Sequence, residues 1–356
     1  MNTPSARRNI CAWASSGALA ALAVFAAHHL AHADEGGVSF WLPGTYGSLA
    51  ATPQVPGWTL GAVYYHTSVG AGASVSAAKE VTIGKLRPTV NIDLNVSMDA
   101  RADLALIMPS YVFETPVFGG QLALNMISVV GRNKVGLDGT LTASVAGLTA
   151  TRQGSIDSSV SGFGDLYPRA ELRWNAGAHN FLAYTMGGIP VGAYDPDRLA
   201  NLGIGHAAID GGAGYTYFDP AKGHELSAVA GLTYNFKNPD TDYRNGIDFH
   251  LDWGASQFLS KQFFVGAVGY VYNQITDDSG ASPILGGFRS RVAAVGPQMG
   301  FIFPVGGMQG FLNLKGYWEF DAANRPEGWN TWVSFAISPP MPTPPATASR
   351  RPGYSK

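Results

Sequence analysis

The chain has 356 residues, a formal charge of −2 and one cysteine, Cys11. So near-neutral a balance excludes the basic stripe that nucleic-acid binding needs, and a lone thiol excludes a disulfide scaffold or a thiolate metal site. Charged residues make up only 13%, against a usual ~25%, yet no stretch beyond the first 33 residues is apolar enough to span a bilayer as a helix, so the apolar residues must be dispersed.

Residues 1–33 have the layout of a secretory signal peptide. Arg7 and Arg8 form a basic start, Gly17 to Ala27 is apolar, and Ala31-His32-Ala33 fits a small-x-small cleavage site. Cys11 would leave with this leader. Residues 34–56 follow, with Trp41, Pro43, Tyr46, Pro53 and Pro56, and do not read as a strand. Two readings stay open for them: a plug folded into a lumen, with Phe40, Trp41 and Tyr46 against an apolar solute, or an ordered periplasmic lead-in.

From residue 57 the period is two. In Val90-Asn91-Ile92-Asp93-Leu94-Asn95-Val96-Ser97-Met98-Asp99 every even position is apolar and every odd one polar, which gives a strand one greasy and one wet face. The same phase runs on through Leu104, Leu106 and Met108. Leu166–Trp174 carries Arg169, Glu171 and Arg173 on its polar face, and Ile247–Trp253 carries Asp248, His250 and Asp252. Twelve strands are predicted, at 57–68, 88–114, 119–132, 163–175, 179–191, 206–218, 224–236, 244–258, 262–275, 288–303, 308–320 and 328–338. The second is too long for a ~25 Å apolar band; it either stands out as a hairpin arm or hides a turn near Asp99–Asp103. Residues 133–161 are expected to form a long loop of low charge, and residues 339–356 a disordered Pro-rich tail.

Five joints are tight and six mostly longer, as in a transmembrane β-barrel with an even strand count. Alternation alone also fits a soluble sandwich or propeller. Scarce Lys, clustered opposite charges on the polar faces and aromatics near strand ends favour lipid. Trp58, Tyr64, Tyr65, Tyr111, Phe113, Trp174, Tyr215, Tyr217, Trp253, Tyr270, Tyr272, Tyr317, Trp318 and Trp329 are expected to form girdles at the headgroup level. The fold class is therefore all-β: a transmembrane antiparallel up-and-down barrel over residues 57–338, apolar faces turned to lipid and polar faces to the lumen.

Several ordered motifs carry a resemblance: Gly164-Asp165-Leu166, Gly192–Gly203 (GAYDPDRLANLG), Asn238–Gly246, His250-Leu251-Asp252, Val268–Asp278 and Asn324–Gly328. With these the chain resembles the meta-pathway phenol-degradation family of outer-membrane transporters, which includes SphA-like members. The resemblance covers most of residues 37–338. It implies a bacterial outer-membrane barrel tied to passive uptake of small apolar, aromatic or lipid-like compounds. The expected partners are then outer-membrane lipid, lipopolysaccharide, the barrel-assembly machinery and the solute. A C-terminal tail beyond the last strand departs from barrels that end on an aromatic residue.

Asp165, Arg169, Glu171, Arg173, Asp248, His250, Asp252, Arg289, Arg291, Lys315 and Glu319 are the expected lumen lining, either choosing solutes or bracing the wall as ion pairs. The carboxylate pairs Asp195/Asp197, Asp240/Asp242 and Asp277/Asp278 fit Ca²⁺ or Asx turns; no metal or cofactor is assigned. An embedded hydrolase would need a serine near a histidine. His250 and Ser256 share a face but lie about 20 Å apart along one strand. A structural or adhesive barrel without transport is the other alternative.

Overall fold

The computed structural model describes residues 39–80, 89–145, 148–280 and 289–340. The expected leader, and the tail beyond Pro340, lie outside these residues. Among the described residues the strands are β1 (Gly57–Glu80), β2 (Thr89–Val112), β3 (Gln121–Val145), β4 (Leu148–Ala176), β5 (His179–Gly188), β6 (Ala208–Asp219), β7 (His224–Asn235), β8 (Tyr243–Arg244), β9 (Asp248–Phe258), β10 (Phe263–Gln274), β11 (Ser279–Gly280), β12 (Arg291–Val305), β13 (Met308–Ala323) and β14 (Glu327–Ser338). All but β8 and β11 join one closed barrel of twelve strands. Each is antiparallel to its neighbours, and Tyr64 opposite Val333 lies in the ladder that closes β1 on β14.

Closure follows from the solvent. Lipid offers no partner for an unpaired backbone N–H or C=O, so a spanning sheet cannot keep an edge. The start of β1, the end of β14 and the short joints at 177–178, 220–223, 259–262 and 306–307 share one end. Strands such as β9, with 11 residues, match a ~25 Å apolar band at the usual tilt of ~40°.

Along β7, Glu225, Ser227, Val229, Gly231, Thr233 and Asn235 are buried, while Leu226, Leu232 and Tyr234 are exposed. Asp248, His250, Asp252 and Ser256 on β9 are likewise buried, with Phe249, Leu251 and Trp253 between them on the outer face. Outside the barrel Trp58, Tyr64, Trp318, Trp329 and Phe335 are exposed, where a soluble protein would not place them and lipid accepts them.

Four strands depart from the expected lengths. β1, β2, β3 and β4 have 24, 24, 25 and 29 residues, and their paired outer halves rise as an arm beyond the band. Residues 133–161 are therefore mostly the two strands of one hairpin, with Lys134 opposite Ser159 and Val145 opposite Leu148, rather than a loop.

The polarity of β2 is reversed from expectation. Leu94 and Met98 on the arm, and Leu106 within the barrel, are buried on the inner face, whereas Asn95, Ser97, Asp99, Arg101 and Asp103 are exposed outside. Beyond the bilayer the outer face meets water. Its inner face packs on the β5–β6 connection, where Ala200 and Leu202 join Met98, Val135, Leu137 and Val160 in one apolar cluster.

Val333, 39% exposed on β14, faces mid-band lipid. Val333→Arg should cost about 2–4 kcal/mol of stability in denaturant unfolding from bilayers. Ser97→Arg on the arm should leave the transition in place; an equal loss there would put the arm in lipid too.

Candidate functional site: the barrel lumen and its N-terminal segment

Residues 39–56 run inside the barrel, from the level of Arg325 down to the start of β1. Phe40, Trp41, Tyr46 and Ala51 are buried there. An irregular backbone within a barrel must find partners for its own polar groups, and inward side chains of the wall supply them. The Asp252 carboxylate accepts from the backbone N–H groups of Gly44 (2.9 Å) and Tyr46 (3.0 Å). From the other side the Lys315 ammonium donates to the Gly44 carbonyl. One turn of chain is thus clasped between an anion on β9 and a cation on β13. Lower down, Leu49 N–H donates to Glu225 (2.8 Å) and Ala51 N–H to Thr216 (3.0 Å). Ser48 lies 2.8 Å from Ser256, and Gln54 exchanges two bonds of 2.7 Å with Gln121.

Side chains reinforce the seat. The Tyr46 hydroxyl donates to Glu171 (2.8 Å). Glu171 in turn sits between Arg173 (2.9 Å) and Arg169 (3.3 Å). Arg169 also lies over the Tyr46 ring, at 5.5 Å. Trp41 stacks on His250 with ring centres 3.8 Å apart, and Phe40 meets Tyr167 edge-on at 5.5 Å.

His250 has a second neighbour set: Nε2 is 2.9 Å from Asp210 and 3.4 Å from the Tyr184 hydroxyl. This approach across two strands requires Gly231, where an added Cβ would stand 2.2 Å from that hydroxyl. At Gly254 a Cβ would meet the backbone N of Ser48 at 2.8 Å, so the segment passes close over bare wall.

Most expected lining residues do face inward. Arg169, Glu171, Arg173, Asp248, His250, Asp252 and Lys315 do so, and Glu319 accepts from the Tyr270 hydroxyl at 2.6 Å. Asp165 is buried but holds the β5–β6 connection, accepting from the N–H groups of Gly192 and Ile204 at 2.7 and 2.8 Å. Arg289 and Arg291 are corrections. Both are exposed at the rim, paired with Asp277 (2.7 Å) and Asp321 (3.0 Å). The inward phase of β12 is Val292, Ala294 and Gln298, so residue 291 falls on the other parity.

The girdle is also revised. Tyr65, Tyr270, Tyr272 and Tyr317 are buried inward rather than exposed to lipid. Together with Tyr184 and Trp332 they make much of the inner wall aromatic. Lys315 sits 4.6 Å over the Trp332 ring and Arg325 4.9 Å over Tyr272.

Asp210, Glu225, Thr216 and Gln298 were not singled out from sequence. Each sits in a weakly alternating strand padded with Gly and Ala, where counting by twos from a neighbouring charge would have been the only guide. The paired loop acids are engaged in loop bonds: Asp195 accepts from Asp197 N–H, and Asp278 from Gly246 N–H and Gln274. Among the described residues no cluster of metal-ligating groups forms.

Residues 86–335 match the family described as MetA-pathway of phenol degradation. A crystal structure of an outer membrane channel from Pseudomonas putida F1 aligns over 83% of this chain and 99% of its own, with TM-score 0.58 and 14% identity. A monoaromatic hydrocarbon channel, CymD, aligns over 80% of this chain and 89% of its own, with TM-score 0.38 and 10% identity. No curated protein matches the sequence.

Glu171, 3% exposed, neutralises two arginines inside the wall. Glu171→Leu should destabilise the folded barrel by about 3–5 kcal/mol, because both cations stay buried without it. Arg291→Ala at the rim should cost about 0–1 kcal/mol. Heat-modifiable gel migration against denaturant checks both.

Proposed function

The chain belongs to the MetA-pathway phenol-degradation family, and we propose from that premise that it is an outer-membrane channel for passive uptake of small apolar or aromatic compounds. The aromatic inner wall carries the reading. Tyr65, Tyr184, Tyr270, Tyr272, Tyr317 and Trp332 face inward where a general porin would keep an open, water-filled lumen. Planar apolar solutes bind such faces by offset stacking, at about 0.5–1.5 kcal/mol per ring pair beyond burial. The similar Pseudomonas putida structure is that of an outer membrane channel, which agrees with this reading. Lipopolysaccharide outside and the assembly machinery that inserts the barrel are the other partners it implies.

The N-terminal segment is the plug of this channel. Its bonds to the wall are short but almost all go to single side chains, so it can shift within the lumen without breaking the barrel ladders. The inward charges brace the segment and the wall rather than select ions, since Glu171, Asp252 and Lys315 are already engaged. An embedded hydrolase is disfavoured by what surrounds the histidine: Asp210, Tyr184 and the covering Trp41 crowd His250, and Ser256 is bonded to Ser48 and Gln298.

In liposomes the barrel should admit an apolar aromatic faster than a sugar of similar size. Equal, leak-level entry of both would remove the proposal. Deleting Gly37–Ala51 should raise single-channel conductance severalfold, and unchanged conductance would mean the segment is no plug.

A further inference from the structure

The outward face of the arm carries a charge pattern that solute uptake does not use. Its ladders place residues in successive rows across β1–β4. The row Tyr64–Ala105–Val130–Phe163 is the last apolar one, with Phe163 74% exposed. Directly beyond it comes His66–Asp103–Arg132–Ser161, then Ser68–Arg101–Lys134–Ser159. Strand tilt makes these rows climb from β1 to β4. Arg101, Arg132 and Lys134 lie 11, 11 and 13 positions from the Val112 and Gln121 ends of β2 and β3. At about 3.3 Å per residue and ~40° of tilt, that carries the three cations beyond a ~25 Å apolar band.

Three cations, Arg101, Arg132 and Lys134, are exposed there on adjacent strands. Asp103, the acid within these rows, accepts from the Tyr64 hydroxyl (2.6 Å) and lies 2.7 Å from His66 Nδ1. The next row out holds Asp99 and Asp157. Asp103 stands opposite Arg132 on the ladder and feels its charge, but it is one acid against three cations, and its short contacts go to Tyr64 and His66. Elsewhere on the rim three cations are neutralised, Lys237 by Asp242 (2.6 Å), Arg289 by Asp277 (2.7 Å) and Arg291 by Asp321 (3.0 Å), and Arg244 bonds Ser279 and Tyr234. Like charges side by side on a ladder repel. They are tolerable where a polyanion neutralises them.

We propose that Arg101, Arg132 and Lys134 form a binding site for the sugar-borne phosphates of the outer-leaflet glycolipid, whose acyl chains lie against Tyr64, Val130 and Phe163. Phosphate is matched by the guanidinium forks of two arginines and the point charge of a lysine, and Ser159 and Ser161 add hydroxyl donors in the same rows. The apolar row directly beneath commits the site to a lipid rather than a free anion. This inference rests on the outer-membrane reading above. Its test is lipid binding in detergent, so its failure would leave the uptake result standing.

The test titrates the purified mature protein with bis-phosphorylated lipid A, dephosphorylated lipid A, phosphatidylglycerol and inorganic phosphate, read by native mass spectrometry. Wild type should prefer bis-phosphorylated lipid A over all three comparators. The triple variant Arg101→Ser, Arg132→Ser, Lys134→Ser should bind it about a hundredfold more weakly. Lys134→Ser alone, at one exposed strand position, should weaken binding about fivefold and serves if the triple variant does not fold. The rim variant Arg289→Ser, Arg291→Ser should bind as wild type. Undiminished binding in the patch variants, equal loss in the rim variant, or wild-type binding of phosphatidylglycerol or free phosphate as tight as lipid A would overturn the site.

Discussion

The structure depends on the cost of leaving a charged or polar group unpartnered inside a tube surrounded by lipid. Strands such as β7 and β9 send their polar half inward, and Glu171, Asp252, Glu225 and Lys315 are buried in the lumen. Some of that demand is met across the wall, as Glu171 meets Arg169 and Arg173. The rest is met by a strip of chain that is not part of the wall. Asp252 and Lys315 hold the two polar sides of the same turn, so the segment completes the wall's electrostatics while occupying its interior. Aromatic faces fill what the polar bonds leave.

The same logic changes sign along a single strand. Within the bilayer β2 shows lipid Ile107 and Tyr111; from Asp103 outward the same face is polar and meets water, while the inner face stays apolar throughout. β2 crosses that boundary near Asp103, and its unbroken alternation is greasy on one side throughout. The environment changes around it, with the β5–β6 connection supplying an apolar partner for Met98, Val135 and Leu137. Asp165, buried at the base of that arrangement, pins the connection by two backbone N–H groups.

Much of this is legible in the sequence. β7, β9 and the membrane part of β4 alternate strongly, because one face must be greasy for lipid and the other charged. The strand count and the tight joints followed from them. What was not legible has three physical causes. Period two separates two faces but does not say which faces in, hence the reversal of β2 and the misplacing of Arg291, Tyr65, Tyr270 and Tyr317. Residues 133–161 are rich in Gly, Ser, Thr and Ala, which pad either face in water and erase the contrast, so two arm strands read as a loop. Contacts such as Trp41 on His250, or Ser48 over Gly254, join residues about 200 positions apart and depend on the missing side chains at Gly231 and Gly254, which no local pattern announces.

In the proposed channel the segment around Ser48 sits in the lumen and has to move for a solute to pass. Ser48 and Ser256 have hydroxyl oxygens 2.8 Å apart, and the sequence has no cysteine besides Cys11. A Ser48→Cys, Ser256→Cys double variant should therefore close a disulfide on mild oxidation in membranes. Aromatic uptake should then fall to the leak level and return on reduction. Failure of the pair to cross-link in a folded barrel, or full uptake with the bond closed, would contradict the account.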